Sequence, residues 1–500
     1  MTTARFLPYL PMGRWALVAV PALALLSGCM VGPDFTRPAA LASQHYDIGA
    51  ERRLSRDADA NGVPHIDFDR KVDGDWWQVL GSAKLDEVMR QAIAGNLDLA
   101  AADATIRQAD EAVAATRGGL APQVDVGARG GRQRAGGAGA LATSNVYAVG
   151  LQVSFDFDLF GGTRRKVEEQ AALAELQRHR FDAAYLTVTG NVAEQALRLA
   201  SAGAQIQAVQ TLLTDDRKNL ELVQTAHRYG SATQVDVALA TSQLAQDETL
   251  LPPLAQQRDI ARHALSVLAG RGPADWVPPD FALDDFSLPA DLPLSLPSEL
   301  ARERPDILEA EAQLHAASAA IGVATADMYP HLQLSASASQ IGPGGGMLWG
   351  LLGGLTAPVF HGGTLQANRR ASIDGYDVSM ANYRQTVIVS LGQVADVLQA
   401  IGHDGEEYAA QQHALDAAST SLRLNRQGYR AGETSVLQVL DAERTYQRAL
   451  IDHIRATTAR YLDTVELSMA LGGNSSGAFA RSATGRHERD GSEQPPVRSP

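Results

Sequence analysis

Cys29 is the only cysteine in the 500-residue chain, and its position indicates a specific chemistry. It follows Leu26, Ser27 and Gly28, which close an apolar run with small residues. This arrangement indicates a functional role for the Cys29 thiol. A buried or free cysteine is the alternative interpretation. Because no second cysteine is present, a disulfide within the chain is excluded.

The amino-terminal residues predict export. Arg5 and Arg14 provide a positive start, and residues 15–26 form an apolar core too short to span a bilayer as a helix. Residues 1–28 are therefore predicted to be a signal peptide. The four residues ending at Cys29 resemble the bacterial lipobox, and this resemblance implies acylation of the Cys29 thiol. Met30, rather than an aspartate, follows the cysteine, which favours sorting to the outer membrane.

Signatures of catalysis are absent from the sequence. There is no Gly-Lys dipeptide and hence no Walker A loop, no HExxH motif, and the 12 histidines are scattered. No nucleophile–base signature occurs either. We therefore expect no enzyme activity and no cofactor beyond a covalent lipid on Cys29.

The net charge argues against nucleic acid as a partner. The formal charge is −14, and removal of residues 1–28, which contain two arginines and no acidic residue, leaves −16. Proteins that bind nucleic acid have a basic footprint instead. No segment after residue 28 is apolar and long enough for a membrane-spanning helix.

The sequence contains an internal two-fold repeat. Residues 96–126 and 304–334 match without a gap, so that Asp98 corresponds to Asp306 and Pro122 to Pro330, at an offset of 208 residues. Each copy is an Ala-rich helix that stops at a proline and precedes alternating residues. A repeat of about 200 residues exceeds a solenoid unit of about 20–50 residues, so it predicts two equivalent halves.

Two proline-free tracts predict very long helices. No proline lies between residues 122 and 252, or between residues 358 and 495. Residues 161–228 alone would form a helix of roughly 100 Å, too long for a compact globule. Part of this stretch follows the three-then-four spacing of a coiled-coil seam, at Ile206, Val209, Leu213, Leu220 and Val223.

Four segments alternate with the period of a β-strand. The clearest is 145–159, in which apolar residues such as Leu151 and Val153 alternate with residues such as Gln152. Its partner, 124–133, lies across a turn-like tract at 135–144, and residues 331–340 and 349–359 form a second pair. This pattern is typical of strands in a membrane barrel. A soluble hairpin pair packed on helices is the alternative.

The number of strands predicts an assembly of several chains. The smallest outer-membrane barrels have about eight strands, so two hairpins cannot close a barrel alone. Open sheet edges cannot face lipid, because their backbone polar groups would stay unpaired. Three chains would provide twelve strands.

These residues together resemble the outer-membrane factor family, the TolC/NodT-type channels of tripartite efflux pumps. The resemblance extends over nearly the whole mature chain. It is most specific in the following motifs, quoted as they stand: Cys29-Met30-Val31-Gly32-Pro33-Asp34-Phe35, Trp76-Trp77, Arg304-Pro305-Asp306-Ile307, Ile321-Gly322 and Tyr329-Pro330.

The resemblance implies an α+β membrane protein: a lipidated homotrimer with a transmembrane β-barrel built from two β-hairpins per chain and a long α-helical coiled-coil barrel. It implies an exit channel of a tripartite, RND-type efflux system, which exports drugs or other small toxic compounds. The partners would be a periplasmic adaptor, an inner-membrane RND pump and outer-membrane lipid. The protein would be lipid-anchored in the bacterial outer membrane and would extend into the periplasm.

The expected organisation along the chain follows from the repeat and the resemblance. It consists of a signal peptide at 1–28, a lipidated extended segment at 29–81, a first repeat at 82–270 with a β-hairpin at 123–160, an equatorial linker at 271–297, a second repeat at 298–471 with a β-hairpin at 331–360, and a disordered tail at 472–500.

The resemblance also implies residues of a pore gate. Matched by spacing from Gly432, Leu437 corresponds to a hydrophobic ring, Asp441 to an acidic ring and Tyr429 to an aromatic that latches the closed state. Asp236 is the first-half counterpart of Gln438, a position at which some members have a second acid. The alternatives are ordinary helix packing for Leu437 and an ion pair between Asp441 and Arg444.

Two other functions remain open at this point. The same channel could serve polypeptide export with an ABC transporter, since the sequence contains little information on cargo. The chain could instead be a structural periplasmic lipoprotein without a pore.

Overall fold

The computed structural model describes residues 30–39, 45–57, 65–67, 75–137, 140–289, 291–342 and 346–473. Cys29, the expected signal peptide and residues 474–500 of the expected tail lie outside this part. Two compact units share the chain. The first contains residues up to Pro38, Thr105–Gln177 and Glu309–Arg384; the second contains Ala39–Ala104, Arg178–Leu308 and the residues from Gln385 onward.

The helices and strands follow one another in a fixed order along the chain. In that order they are α1 (Ile48–Asp57), β1 (His65–Asp67), α2 (Ala83–Gly95), α3 (Leu97–Gly118), β2 (Gln123–Gly137), β3 (Ala140–Asp156), α4 (Gly162–Arg228), α5 (Gln234–Glu248), α6 (Leu251–Leu268), β4 (Asp291–Pro293), α7 (Pro297–Glu303), α8 (Pro305–Ala326), β5 (His331–Ile341), β6 (Met347–Thr356), α9 (Thr364–Ala431) and α10 (Val436–Ala470).

The long helices predicted from the proline-free tracts are confirmed. Helix α4 has 67 residues and helix α9 has 68. The order α3–β2–β3–α4 occurs a second time as α8–β5–β6–α9, and α3 and α8 have 22 residues each. Within the described residues, no helix is both long and apolar enough to cross a membrane.

The four long strands form one antiparallel sheet in the first unit. Their order is β2–β3–β5–β6, so each predicted hairpin is present and the two hairpins join through β3 and β5. In this central pairing Val153 lies opposite Ala336. Among the described strands, β2 and β6 each pair on one edge only.

The first hairpin turns more sharply than the sequence indicates. The tract 135–144 was expected to be a turn, but the strands stay paired as far as Gly137 and Ala140. Each further antiparallel pair adds backbone hydrogen bonds, and glycine and alanine put no bulky side chain in the way. The expectation of a long turn here is therefore wrong.

Apolar side chains of the sheet are uncovered within this unit. In β3, Tyr147, Val149 and Leu151 are all more than half exposed. In β6 the exposed set has members on both faces: Met347, Leu348, Trp349, Leu351, Leu352 and Leu355. A soluble hairpin pair packed on helices would cover one face, so this arrangement does not match that alternative.

A buried arginine holds the amino-terminal strap, which we define as residues 30–37, in the first unit. Arg165 is 1% exposed, and its guanidinium donates to the backbone oxygens of Val31 and Gly32. It also forms ion pairs of 2.7 Å with Asp34 and Glu168. Burial opposes the charge, yet the hydrogen bonds that the guanidinium donates to these two carboxylates, together with their negative charges, raise the pKa of Arg165 above its ordinary value.

Three further contacts fix the strap. Phe35 stacks on His315 with ring centroids 4.4 Å apart, and Arg37 pairs with Glu311. Gly32 has φ +93°, and a Cβ placed there would lie 2.5 Å from the Cα of Gly322. Only glycine combines this dihedral angle with so close an approach.

The expectation of an extended segment over residues 29–81 is wrong within the second unit. Residues Ile48–Asp57 form helix α1, because Asp47 accepts hydrogen bonds from the backbone of Gly49 and Ala50 and so caps its start. Ala50 and Leu54 then enter a core that includes residues of α9 and α10. A 3₁₀ turn follows at Trp76–Leu80.

The expected linker at 271–297 is also partly structured in the second unit. Strand β4 pairs in parallel with β1, with Ile66 opposite Leu292. Leu292 and Leu294 are buried, and Pro297 begins α7. The segment therefore packs as part of the unit's core.

Arg304 braces the start of α8 in the second unit. Its guanidinium donates to Asp306 at 2.9 Å and to the backbone oxygen of Ala470 at 2.8 Å, and its side chain is largely buried. These contacts tie α8 to the end of α10.

We expect Arg165→Met to destabilise the first unit and loosen the strap. The substitution keeps bulk but removes four polar contacts, so the loss should lie near the upper end of the usual 0.5–3 kcal/mol, at about 2–3 kcal/mol. Thermal unfolding of the purified protein in detergent measures it. Lys166→Met on the next, exposed position is the matched control. Equal melting temperatures for the two variants would show that Arg165 does not hold the strap.

Candidate functional site

Two helix–turn–helix segments in the second unit contain every predicted gate residue. The first tip, residues 225–237, joins α4 to α5, and the second tip, residues 425–441, joins α9 to α10. Asp236 lies in the first tip. Tyr429, Leu437 and Asp441 lie together in the second.

Both tips end their incoming helix in the same way. Gly230 and Gly432 have φ +78° and +77°. In the first tip, Gly230 donates to the His227 oxygen and Ser231 to the Ala226 oxygen. In the second tip, Gly432 donates to the Tyr429 oxygen and Glu433 to the Gly428 oxygen. This is a Schellman motif, in which a left-handed glycine satisfies the last helical carbonyls. Both glycines therefore end their helices in left-handed turns.

The outgoing helices are also capped alike. Thr233 and Asp236 form a capping box at the start of α5, and Ser435 and Gln438 form one at the start of α10. The hydrogen bonds from the backbone and side chain of Thr233 hold the pKa of Asp236 below its ordinary value. Asp236 and Gln438 thus have the same local role, since each accepts the backbone hydrogen bond that completes its capping box.

Two apolar side chains of the second tip are exposed in the single chain. Leu437 is 43% exposed and Tyr429 is 37% exposed. Leu437 therefore does not belong to the core of its own chain, which was the alternative for this residue. An apolar side chain at such a position gains stability only if a further molecule covers it.

Asp441 is exposed and is not paired with Arg444. The guanidinium of Arg444 instead donates to the amide oxygen of Gln243 on α5. Among the described residues, the structure shows no ion pair for the Asp441 carboxylate. The expected local pair is thus absent, and Asp441 presents a free negative charge.

A polar network links the helices directly behind the tips. Arg426 on α9 binds Asp215 on α4 at 2.6 Å and Glu443 on α10 at 2.5 Å. Asn219 donates to the other oxygen of Glu443 at 2.6 Å. Burial acts to raise the pKa of Asp215, but the hydrogen bonds with Arg426 and Glu443 and the nearby positive charges together keep this pKa below its ordinary value.

A second carboxyl pair lies beside this network. Asp216 on α4 and Asp247 on α5 are both buried and within hydrogen-bonding reach of each other. The side-chain amide of Gln243 donates a hydrogen bond of 2.6 Å to Oδ2 of Asp247. Burial, followed by the neighbouring carboxylates of Asp247 and Glu443, raises the pKa of Asp216 to about 7.

The sequence interpretation missed this network, although one signal was present. Val439, Glu443 and Gln447 follow one another at four-residue spacing on α10, and all three are buried. A carboxylate on the buried stripe of a helix must find a partner. Within the described residues, no group of three or more histidine, cysteine or acidic side chains could hold a metal ion.

Comparison with known proteins identifies the family. The profile of the family described as "Outer membrane efflux protein" matches residues 88–271 and 296–473. The chain is 32% identical to the pyoverdine export outer membrane protein OpmQ of Pseudomonas aeruginosa, over 80% of this chain and 87% of OpmQ. It is 27% identical to the cation efflux system protein CusC of Escherichia coli K12, over 90% and 97% of the two chains.

A solved structure shows the same fold. The outer-membrane channel OprN aligns with a TM-score of 0.80 and 26% sequence identity, over 89% of this chain and 99% of OprN. The resemblance drawn from the sequence motifs is thereby confirmed, as is the outer-membrane location. The chain belongs to the outer membrane efflux protein family, whose members are efflux channels of the outer membrane.

Proposed function

We propose that the protein is the outer-membrane exit channel of a tripartite, RND-type efflux system and that it works as a homotrimer. The observation that supports this most is the four-stranded sheet with two unpaired edges and exposed apolar side chains. Such a sheet is stable in lipid only when further strands close it.

A sheet of four strands is compatible with three copies, the number that the family resemblance implies. Three copies of a four-stranded sheet give twelve strands, an even number within the range of outer-membrane barrels, whereas one copy is below the minimum of about eight. In this arrangement β2 of one copy pairs with β6 of the next. Residues such as Leu151 and Val149 face lipid.

We propose that the second tip forms the gate. Three copies of Leu437 would pack together in the closed state, which accounts for an apolar side chain that is exposed in the single chain. Tyr429 would latch the tip against a neighbouring helix. Three copies of Asp441 would form an acidic ring that favours cations. Asp236 contributes a further negative charge from the first tip.

The anchor is part of the same proposal. Cys29 would bear the lipid after removal of residues 1–28, and two or three acyl chains would anchor the protein firmly. The fixed position of the strap supports this assignment, because Arg165 holds the residues that directly follow Cys29. The repeats at 82–270 and 298–471 would supply equivalent parts of the channel wall, and the segment at 271–297 would join them.

The partners would be a periplasmic adaptor and an inner-membrane RND pump, and the cargo would be small compounds. The names of two relatives support small compounds as the cargo, although these compounds differ in chemistry. OpmQ exports pyoverdine, and CusC belongs to a cation efflux system. The pump supplies the energy in this account, and the channel needs only to open.

The strand assignment is tested by arginine substitution on the two faces of β3. Leu151→Arg should weaken assembly by about 2–4 kcal/mol near the middle of the membrane, because the charge would face lipid. Gln152→Arg on the opposite face is the matched control and should be tolerated. Trimer yield after detergent extraction measures both. Equal yields would mean that β3 does not cross a membrane.

The gate assignment is tested by single-channel recording. We expect Leu437→Ala to raise the resting conductance, because the apolar constriction is lost, and Asp441→Ala to reduce cation selectivity. Leu239→Ala, an exposed leucine on α5, is the matched control for apolar truncation and should leave the conductance unchanged. If Leu437→Ala and Asp441→Ala both match the wild type in conductance and selectivity, the constriction lies elsewhere.

A further inference from the structure

Four carboxyl groups meet behind the tips, and we call Asp215, Asp216, Asp247 and Glu443 the acid cluster. Asp216, Asp247 and Glu443 are each more than nine-tenths buried. Asp215 and Asp216 come from α4, Asp247 from α5 and Glu443 from α10. A displacement of these three helices relative to one another therefore changes the distances between carboxyl groups on different helices.

The positive charges around the acid cluster are too few to neutralise it. From α9, Arg426 contacts Asp215 and Glu443. On α4, Lys218 reaches only Asp215, at 3.5 Å. Arg444 on α10 contacts Gln243, which in turn donates to Asp247. The Oδ2 atom of Asp216 is buried and accepts no hydrogen bond within the described residues.

The arrangement of Asp216 and Asp247 requires a proton. Two ionised carboxylates in contact and out of water repel each other strongly, whereas one protonated and one ionised group form a hydrogen bond. A proton on Asp216 therefore favours close packing of α4 against α5, and the charge of Glu443 on α10 acts in the same direction.

We propose that the acid cluster is a proton-dependent brace of the gate: protonation at Asp216 keeps the tip helices packed, and loss of that proton favours their separation. This inference rests on the proposed channel function and adds a regulatory ligand to it, the periplasmic proton.

The direction of the effect follows from linkage. Burial and the adjacent carboxylates raise the pKa of Asp216 from 3.8 to about 7 in the packed arrangement. An acid with a raised pKa stabilises the packed state fully below its ordinary pKa, and this contribution is lost as the pH rises through the raised value. Packed tips are therefore favoured at acidic pH and weakened near pH 7 and above.

The size of the effect follows from the same two values. With a pKa of about 7 when packed and 3.8 when exposed, one proton changes the ratio of packed to separated tips by about 30-fold between about pH 5.5 and about pH 8. Resting conductance should thus rise with pH on the side of the tips.

The test is planar-bilayer conductance of the full-length protein, with the tip side held at about pH 5.5 or about pH 8. The wild type should conduct more at the higher pH. Asp216→Asn keeps a hydrogen-bond donor next to Asp247 without a titrating proton, so its conductance should stay near the low value of the wild type at acidic pH. Asp441 is present in both proteins, so the difference between them reports the acid cluster.

Asp404→Asn is the matched control. Burial and the neighbouring Asp404, which is partly buried, raise the pKa of Asp463 to about 8, so this pair on α9 and α10 also brings two carboxyl groups together, but Asp463 lies 20 residues beyond Glu443 along α10. Asp404→Asn should keep the pH dependence of the wild type. The brace is refuted if wild-type channels conduct equally at both pH values, or if Asp216→Asn retains the wild-type response. Absence of any channel would instead refute the proposed function.

Discussion

Backbone hydrogen bonding at the edges of the sheet is the constraint on which the rest of this structure depends. Strands β2 and β6 each expose a row of backbone donors and acceptors, and hydrocarbon offers these groups no partner. Water is also an unfavourable environment for this sheet, because it would contact the exposed apolar side chains of β3 and β6. Both requirements are met when copies of the chain join edge to edge in the outer membrane, where the family works.

The structure of the tips depends on helix caps and on polar contacts between helices. Each tip is rigid locally, since a left-handed glycine and a capping box fix its turn. Behind the turns, however, the helices are joined through buried carboxyl groups whose repulsion depends on a proton. Polar contacts of this kind make the packed state less stable than an apolar core would, which suits the proposed gate because it must close and open.

Features with a local period could be predicted from the sequence. The absence of proline predicted α4 and α9, and alternation predicted the four strands. Helix α1 was missed because its stability comes from a cap at Asp47 and from burial of Leu54 against distant helices. The contact of Asp215 with Arg426 was missed for the same reason, since the two residues are 211 positions apart.

The measurement that tests the central claim most directly is disulfide cross-linking between paired cysteines, one along β2 and one along β6, scanned over several registers. Within one chain these strands are three spacings apart, about 14 Å, whereas a disulfide bridges Cα atoms less than about 7 Å apart. Any bond must therefore join two copies. We predict covalent dimers and trimers on a denaturing gel and no larger species. A chain that remains monomeric at every register would contradict the account.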